Sequence, residues 1–130
     1  MHQKLCILKW ESCILQQETM HYFCQKSNVM ITMNKKVALL VRLEAKAGKE
    51  QEVADFIERA LPLAQAEEGT ISWYALQIGT RTFGIFDTFP HQEARQEHLA
   101  GEIARAIMAK ADELLSQPPV IEKVKVLACK

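Results

Sequence analysis

Residues Ile71–Phe89 read ISWYALQIGTRTFGIFDTF. The stretch is rich in Ile, Trp, Tyr, Phe and Thr and is divided by Gly79-Thr80-Arg81, the pattern of two strands joined by a tight turn. On the first strand Ile71, Trp73, Ala75 and Gln77 alternate with Ser72, Tyr74, Leu76 and Ile78. On the second, Phe83, Ile85, Asp87 and Phe89 alternate with Gly84, Phe86 and Thr88. Large apolar groups fall on both faces, whereas a solvated sheet face shows polar alternation. One face is therefore expected to meet the chain's own helices and the other a second copy. Pro90 ends the hairpin and can open a helix.

Working outward, Val37–Ala45 reads as a strand with Val37, Leu39, Val41 and Leu43 on one wholly apolar face. Ala47-Gly48-Lys49 turns the chain into a helix over Glu50–Glu68, where Val53, Phe56, Ile57, Ala60, Leu61 and Ala64 recur at helical spacing. Pro62 should kink it, because proline has no N–H for the ladder. Beyond the hairpin, His91–Gln117 reads as a helix interrupted at Leu99-Ala100-Gly101 and ended by Pro118-Pro119. Val120–Ala128 closes the domain as a strand whose alternating charges suit a sheet edge or a partly solvated face. The order is β-α-β-β-α-β, an α+β, ferredoxin-like arrangement with both helices on one side of a four-stranded antiparallel sheet.

Residues 1–32 carry no sustained period and read as an appendage, so the domain is expected to span 33–130. Formal net charge is zero, which gives no electrostatic reason to expect nucleic acid, and no apolar run approaches membrane-spanning length. Cytoplasm is the expected location. Cys6, Cys13, Cys24 and Cys129 include no CxxC pair. They read as reduced thiols, and the clustering of His2, Cys6, Cys13, His21 and Cys24 as scattered residues rather than a metal site.

Four segments now carry a resemblance. Lys46-Ala47-Gly48-Lys49-Glu50, Glu67-Glu68-Gly69-Thr70, Phe83–Phe89 and His98-Leu99-Ala100-Gly101 resemble, in order and spacing, the antibiotic-biosynthesis-monooxygenase family of dimeric α/β-barrel proteins, which includes quinol monooxygenases. The resemblance covers about Lys36 to Ala128. It implies a homodimer with facing sheets and a pocket between sheet and helices. It also implies oxidation of aromatic phenols or quinols by dioxygen without metal or flavin. Heme-degrading members use a histidine well past the helix break and an Asn on the first strand. This chain has no His after His98 and only apolar residues on that strand face, so heme degradation is not expected.

The candidate site follows. His98, at the helix break, is the candidate catalytic base, since an imidazole near neutrality can take a phenolic proton. The competing reading, and the weightier one for a lone histidine without a visible partner, is that it caps or packs the break. Val41, Trp73, Phe83, Phe86, Ile103 and Ile107 are the candidate substrate-binding residues, with the three aromatics as a wall for a flat ligand. Plain core packing is the competing reading for each. Asp87 is expected to pair with Arg42 or Arg81 as a structural bridge, with the orienting of a pocket group as the second reading. No cofactor is expected. Two functions stay open: a cofactor-independent oxygenase acting on a small aromatic substrate, or a non-catalytic dimeric ligand-binding or stress-related module.

Overall fold

The computed structural model describes residues 37–130. The N-terminal appendage, three of the four cysteines and the boundary at Met33 lie outside the described residues.

Strand β1 (Val37–Glu44) is the spine of the sheet. It pairs antiparallel with β3 (Thr82–Phe89) on one side and with β4 (Val120–Lys125) on the other. Strand β2 (Ser72–Gln77) adds to the far side of β3, giving the order β2-β3-β1-β4. This is the expected four-stranded antiparallel, ferredoxin-like sheet. The hairpin turn closes where Ile78 and Gly79 both donate to the Thr82 carbonyl, at 2.8 and 3.0 Å. Strand β4 ends at Lys125, three residues before the expected Ala128.

Register decides the faces. Leu39 lies opposite Asp87, Val41 opposite Ile85 and Leu43 opposite Phe83, while Trp73 lies opposite Asp87 and Ala75 opposite Ile85. These residues point toward the helices. Leu40, Tyr74, Leu76 and Phe86 point the other way. Tyr74 is 52% exposed there and stacks on Phe86, ring centroids 6.5 Å apart.

The segment expected as one kinked helix is two. Helix α1 (Glu50–Glu58) starts after Gly48, whose φ of +85° only glycine adopts without strain. Helix α2 (Leu61–Ala66) carries Pro62 in its first turn. Proline lacks the donor and crowds the carbonyl four residues back, so the chain restarts rather than bends. The second helical segment divides as expected into α3 (Gln92–Leu99) and α4 (Glu102–Leu114). Helix α3 is capped by the His91 ring, whose Nδ1 accepts from the Ala94 N–H at 3.1 Å. At the break, a Cβ on Gly101 would sit 3.1 Å from the His98 carbonyl oxygen. Glycine is favoured there because the chain's own backbone comes close, and a side chain would push it back by a few tenths of an ångström.

Two apolar clusters fill the space between sheet and helices. The larger joins Val41, Leu43, Phe83 and Ile85 to Val53 and Ile57 of α1 and to Ile103, Ile107 and Leu114 of α4. The smaller joins Leu39 and Phe89 to Ala94 of α3. Burying each large side chain contributes about 1.5–3 kcal/mol. Along β3, Ile85 belongs to the larger cluster and Phe89 to the smaller. Asp87 lies between them, fully buried.

Candidate active site

A carboxylate at that seam requires a partner, since an uncompensated buried charge is expensive. The partner is His98. It lies in the last turn of α3 on the buried side, tilted against the Phe89 ring with centroids 5.2 Å apart. Its Nε2 lies 2.9 Å from Asp87 Oδ2, although neither Asp87 oxygen makes an aligned hydrogen bond. Its Nδ1 lies 2.5 Å from Glu67 Oε2. That oxygen also accepts from the Thr70 hydroxyl at 2.6 Å. Glu67 follows α2 directly, and the Thr70 N–H returns to the Glu67 carbonyl at 3.3 Å, fixing the loop that presents it.

One imidazole thus lies between two carboxylates. Side-chain exposure grades from 0% at Asp87 through 7% at His98 to 25% at Glu67. Burial works against a charge on His98, but the contacts and charges of Asp87 and Glu67 outweigh it and hold its pKa above the ordinary histidine value. Burial pushes the Asp87 carboxyl up, and the His98 contact offsets this only in part. Both ring nitrogens face acceptors, so the geometry favours the imidazolium.

His98 borders two spaces. A groove of about 520 Å3 opens toward solvent, edged by Leu63, Glu67, Ala94, Glu97, Gly101 and Arg105 among others. A smaller cavity of about 90 Å3 lies between sheet and α4, bounded by Leu39, Val41, Ile85, Ile103, Ile107 and Met108 among others. The structure therefore brings His98, Val41, Ile103 and Ile107 together around the smaller cavity. The aromatic wall does not form. Trp73 packs against the larger apolar cluster and Phe83 is buried within it, and neither borders the cavity. Phe86 lies on the opposite face of the sheet, paired with Leu40 and Tyr74. The expected pairing of Asp87 with Arg42 or Arg81 is also corrected. Arg42 is opposite Gly84 and points to the outer face, and Arg81 approaches Glu50 at 3.9 Å. Sequence reading missed Glu67 and Thr70 as partners of His98, because Glu67-Glu68-Gly69 reads as an ordinary helix end.

No family model matches the chain, and no curated protein does. Among solved structures, a protein of unknown function from Nitrosomonas europaea is 59% identical, over 73% of this chain and 92% of that one, with a TM-score of 0.71. The chain belongs to that protein's family. The fold is of the antibiotic-biosynthesis-monooxygenase type. A candidate antibiotic biosynthesis monooxygenase, also from Nitrosomonas europaea, matches with a TM-score of 0.64 at 12% identity, over 72% of this chain and 91% of that one. A Pseudomonas aeruginosa protein matches with a TM-score of 0.63 at 17% identity, over 72% and 96%. At these identities the likeness is one of fold. Among the described residues, no helix is long and apolar enough to cross a membrane.

Proposed function

We propose that this chain is a cofactor-independent oxygenase acting on a small phenol or quinol. The observation that supports the reading is the Glu67–His98–Asp87 unit, set between a solvent-open groove and an apolar cavity. At about 520 Å3 the groove is in the size range of small-molecule sites, about 300–1,000 Å3. The chemistry balances without a further reductant. A phenol or quinol with a free ring carbon ortho or para to a hydroxyl gives up that hydroxyl proton, and the anion supplies electrons to dioxygen. One oxygen atom bonds to the free carbon as a quinone carbonyl. The other leaves as water with the two hydrogens lost, one from the hydroxyl and one from that carbon.

The protein's part in that reaction is to take the first proton and keep the site dry. The expectation of a free neutral imidazole as base is revised. Both His98 nitrogens are occupied, so the base is the unit as a whole. Glu67 receives the proton on its groove side, and His98 spreads the resulting charge change to Asp87. Oxygen uptake with a panel of quinols, compared between wild type and the folded variants Glu67→Gln and His98→Ala, tests this. Wild-type uptake that both variants leave unchanged refutes the assignment.

The same occupied ring supports a second reading, a binding module in which His98 only locks helix to sheet. Tight binding of phenols without oxygen uptake would favour it. In either case the outer sheet face, with Leu40, Tyr74, Leu76 and Phe86, is proposed to pair with a second copy. Light scattering at micromolar concentration showing a monomer would remove that part.

A further inference from the structure

The smaller cavity is lined by nine apolar residues, Ala104 among them, and by His98. Water is a poor occupant. A buried water needs about two to four polar partners, and the one polar side chain in the wall has its Nδ1 hydrogen-bonded to Glu67 and its Nε2 in ion-pair contact with Asp87. An aromatic ring is a poor occupant as well. An apolar cavity of about 150 Å3 is known to hold benzene, and this one measures about 90 Å3. What remains is a small apolar molecule that requires no hydrogen bond and regains the contacts an empty wall forgoes.

We propose that this cavity is a dioxygen-binding site. The inference rests on the oxygenase reading for its choice among small apolar molecules, and on the cavity alone for its size and polarity. Dioxygen enters past Met108 and Ile121, which are 59% and 45% exposed at the mouth. The unbranched, flexible Met108 side chain can swing aside. Because His98 borders both spaces, the gas is held beside the unit that takes the substrate proton, while the organic substrate occupies the groove. Binding makes and breaks no covalent bond.

Dioxygen is paramagnetic, so it is its own probe. Methyl relaxation of the full chain is measured under pressurised oxygen and under pressurised nitrogen. Methyls of Val41, Ile103 and Ile107 are expected to show excess relaxation under oxygen relative to Leu43, Val53 and Ile57, which are buried in the same cluster. Ala104→Leu fills the cavity and should abolish the excess; Ile107→Phe, read on Val41 and Ile103, serves if that variant fails to fold. Uniform relaxation across the cluster overturns the proposal, and so does an excess that persists in a folded, filled variant. With a quinol that the wild type oxidises, Ala104→Leu should raise the KM for oxygen several-fold and leave the KM for quinol in place. An unmoved oxygen KM overturns the site's role. Localised relaxation in a chain that oxidises no quinol supports the gas site and removes the oxygenase reading.

Discussion

Replacing His98 with leucine leaves the Asp87 carboxylate in the seam of the core with no partner. Breaking a buried ion pair by removing one member costs about 3–5 kcal/mol. No solvent discount applies, because the two side chains are 7% and 0% exposed. The penalty also has a ceiling, since Asp87 can take up a proton instead of remaining charged. Its ordinary value is 3.8, and at about 1.36 kcal/mol per pH unit the ceiling is about 4.4 kcal/mol at pH 7 and about 1.6 kcal/mol at pH 5. The double variant Asp87→Asn/His98→Leu isolates this quantity, because it removes the ionisation and keeps the shape. Urea midpoints at both pH values are the assay. The double variant should be more stable than His98→Leu by about 3–4 kcal/mol at pH 7, with the gap shrinking to about half or below by pH 5. Equal midpoints at pH 7, or a gap that ignores pH, would refute the claim that Asp87 is an ionised residue sustained by His98.

In the wild type, His98 and Asp87 both hold protons more tightly folded than unfolded. The His98 contribution is therefore fully present below about pH 6.5 and is lost as pH rises through its raised folded value; Asp87 has the same sign, starting from about 3.8. Thermal melts should accordingly show stability falling from pH 6 toward alkaline pH, and a rise would contradict the pairing. Gly101→Ala places a Cβ 3.1 Å from the His98 carbonyl oxygen and should cost about 1–2 kcal/mol, read as a lower Tm. Trp73→Phe removes a buried indole N–H that has no acceptor. Its stability should stay within about 1 kcal/mol of wild type, as lost packing is offset by relief of the unpaired donor. Tyr74→Lys places a charge on the outer sheet face and should convert the proposed dimer to monomer in light scattering.

The fold was legible because hydrophobic period is a local signal. Val37, Leu39, Val41 and Leu43 announce one strand face, and Pro62 and Gly101 announce the two helix interruptions. The site was legible only in part. His98 stood out as an imidazole at a helix break. Its partners did not, because Asp87 and Glu67 lie 11 and 31 residues away in sequence and meet it only once α3 lies across β3. One signal could have found Asp87. It alternates with Phe83, Ile85 and Phe89 on a face expected to be buried, and of the candidate partners Arg42 alternates with the apolar face of its own strand and so points away. Glu67 left no such mark. Phe86 is aromatic like Trp73 and Phe83 but does not share their face, since the two-residue period sets it opposite Phe83.

The sheet's two outer strands are unequally guarded. Strand β4 carries Glu122, Lys123 and Lys125, and charges of this kind deter a stray chain from adding to an edge. Strand β2 reads SWYALQ, without charge or proline, and among the described residues no strand pairs beyond it. Its apolar and aromatic residues favour extended pairing. When the protein is concentrated during refolding, wayward association should therefore start at β2. A lysine at exposed Gln77, off the face proposed to pair, is the kind of gatekeeper that would slow it.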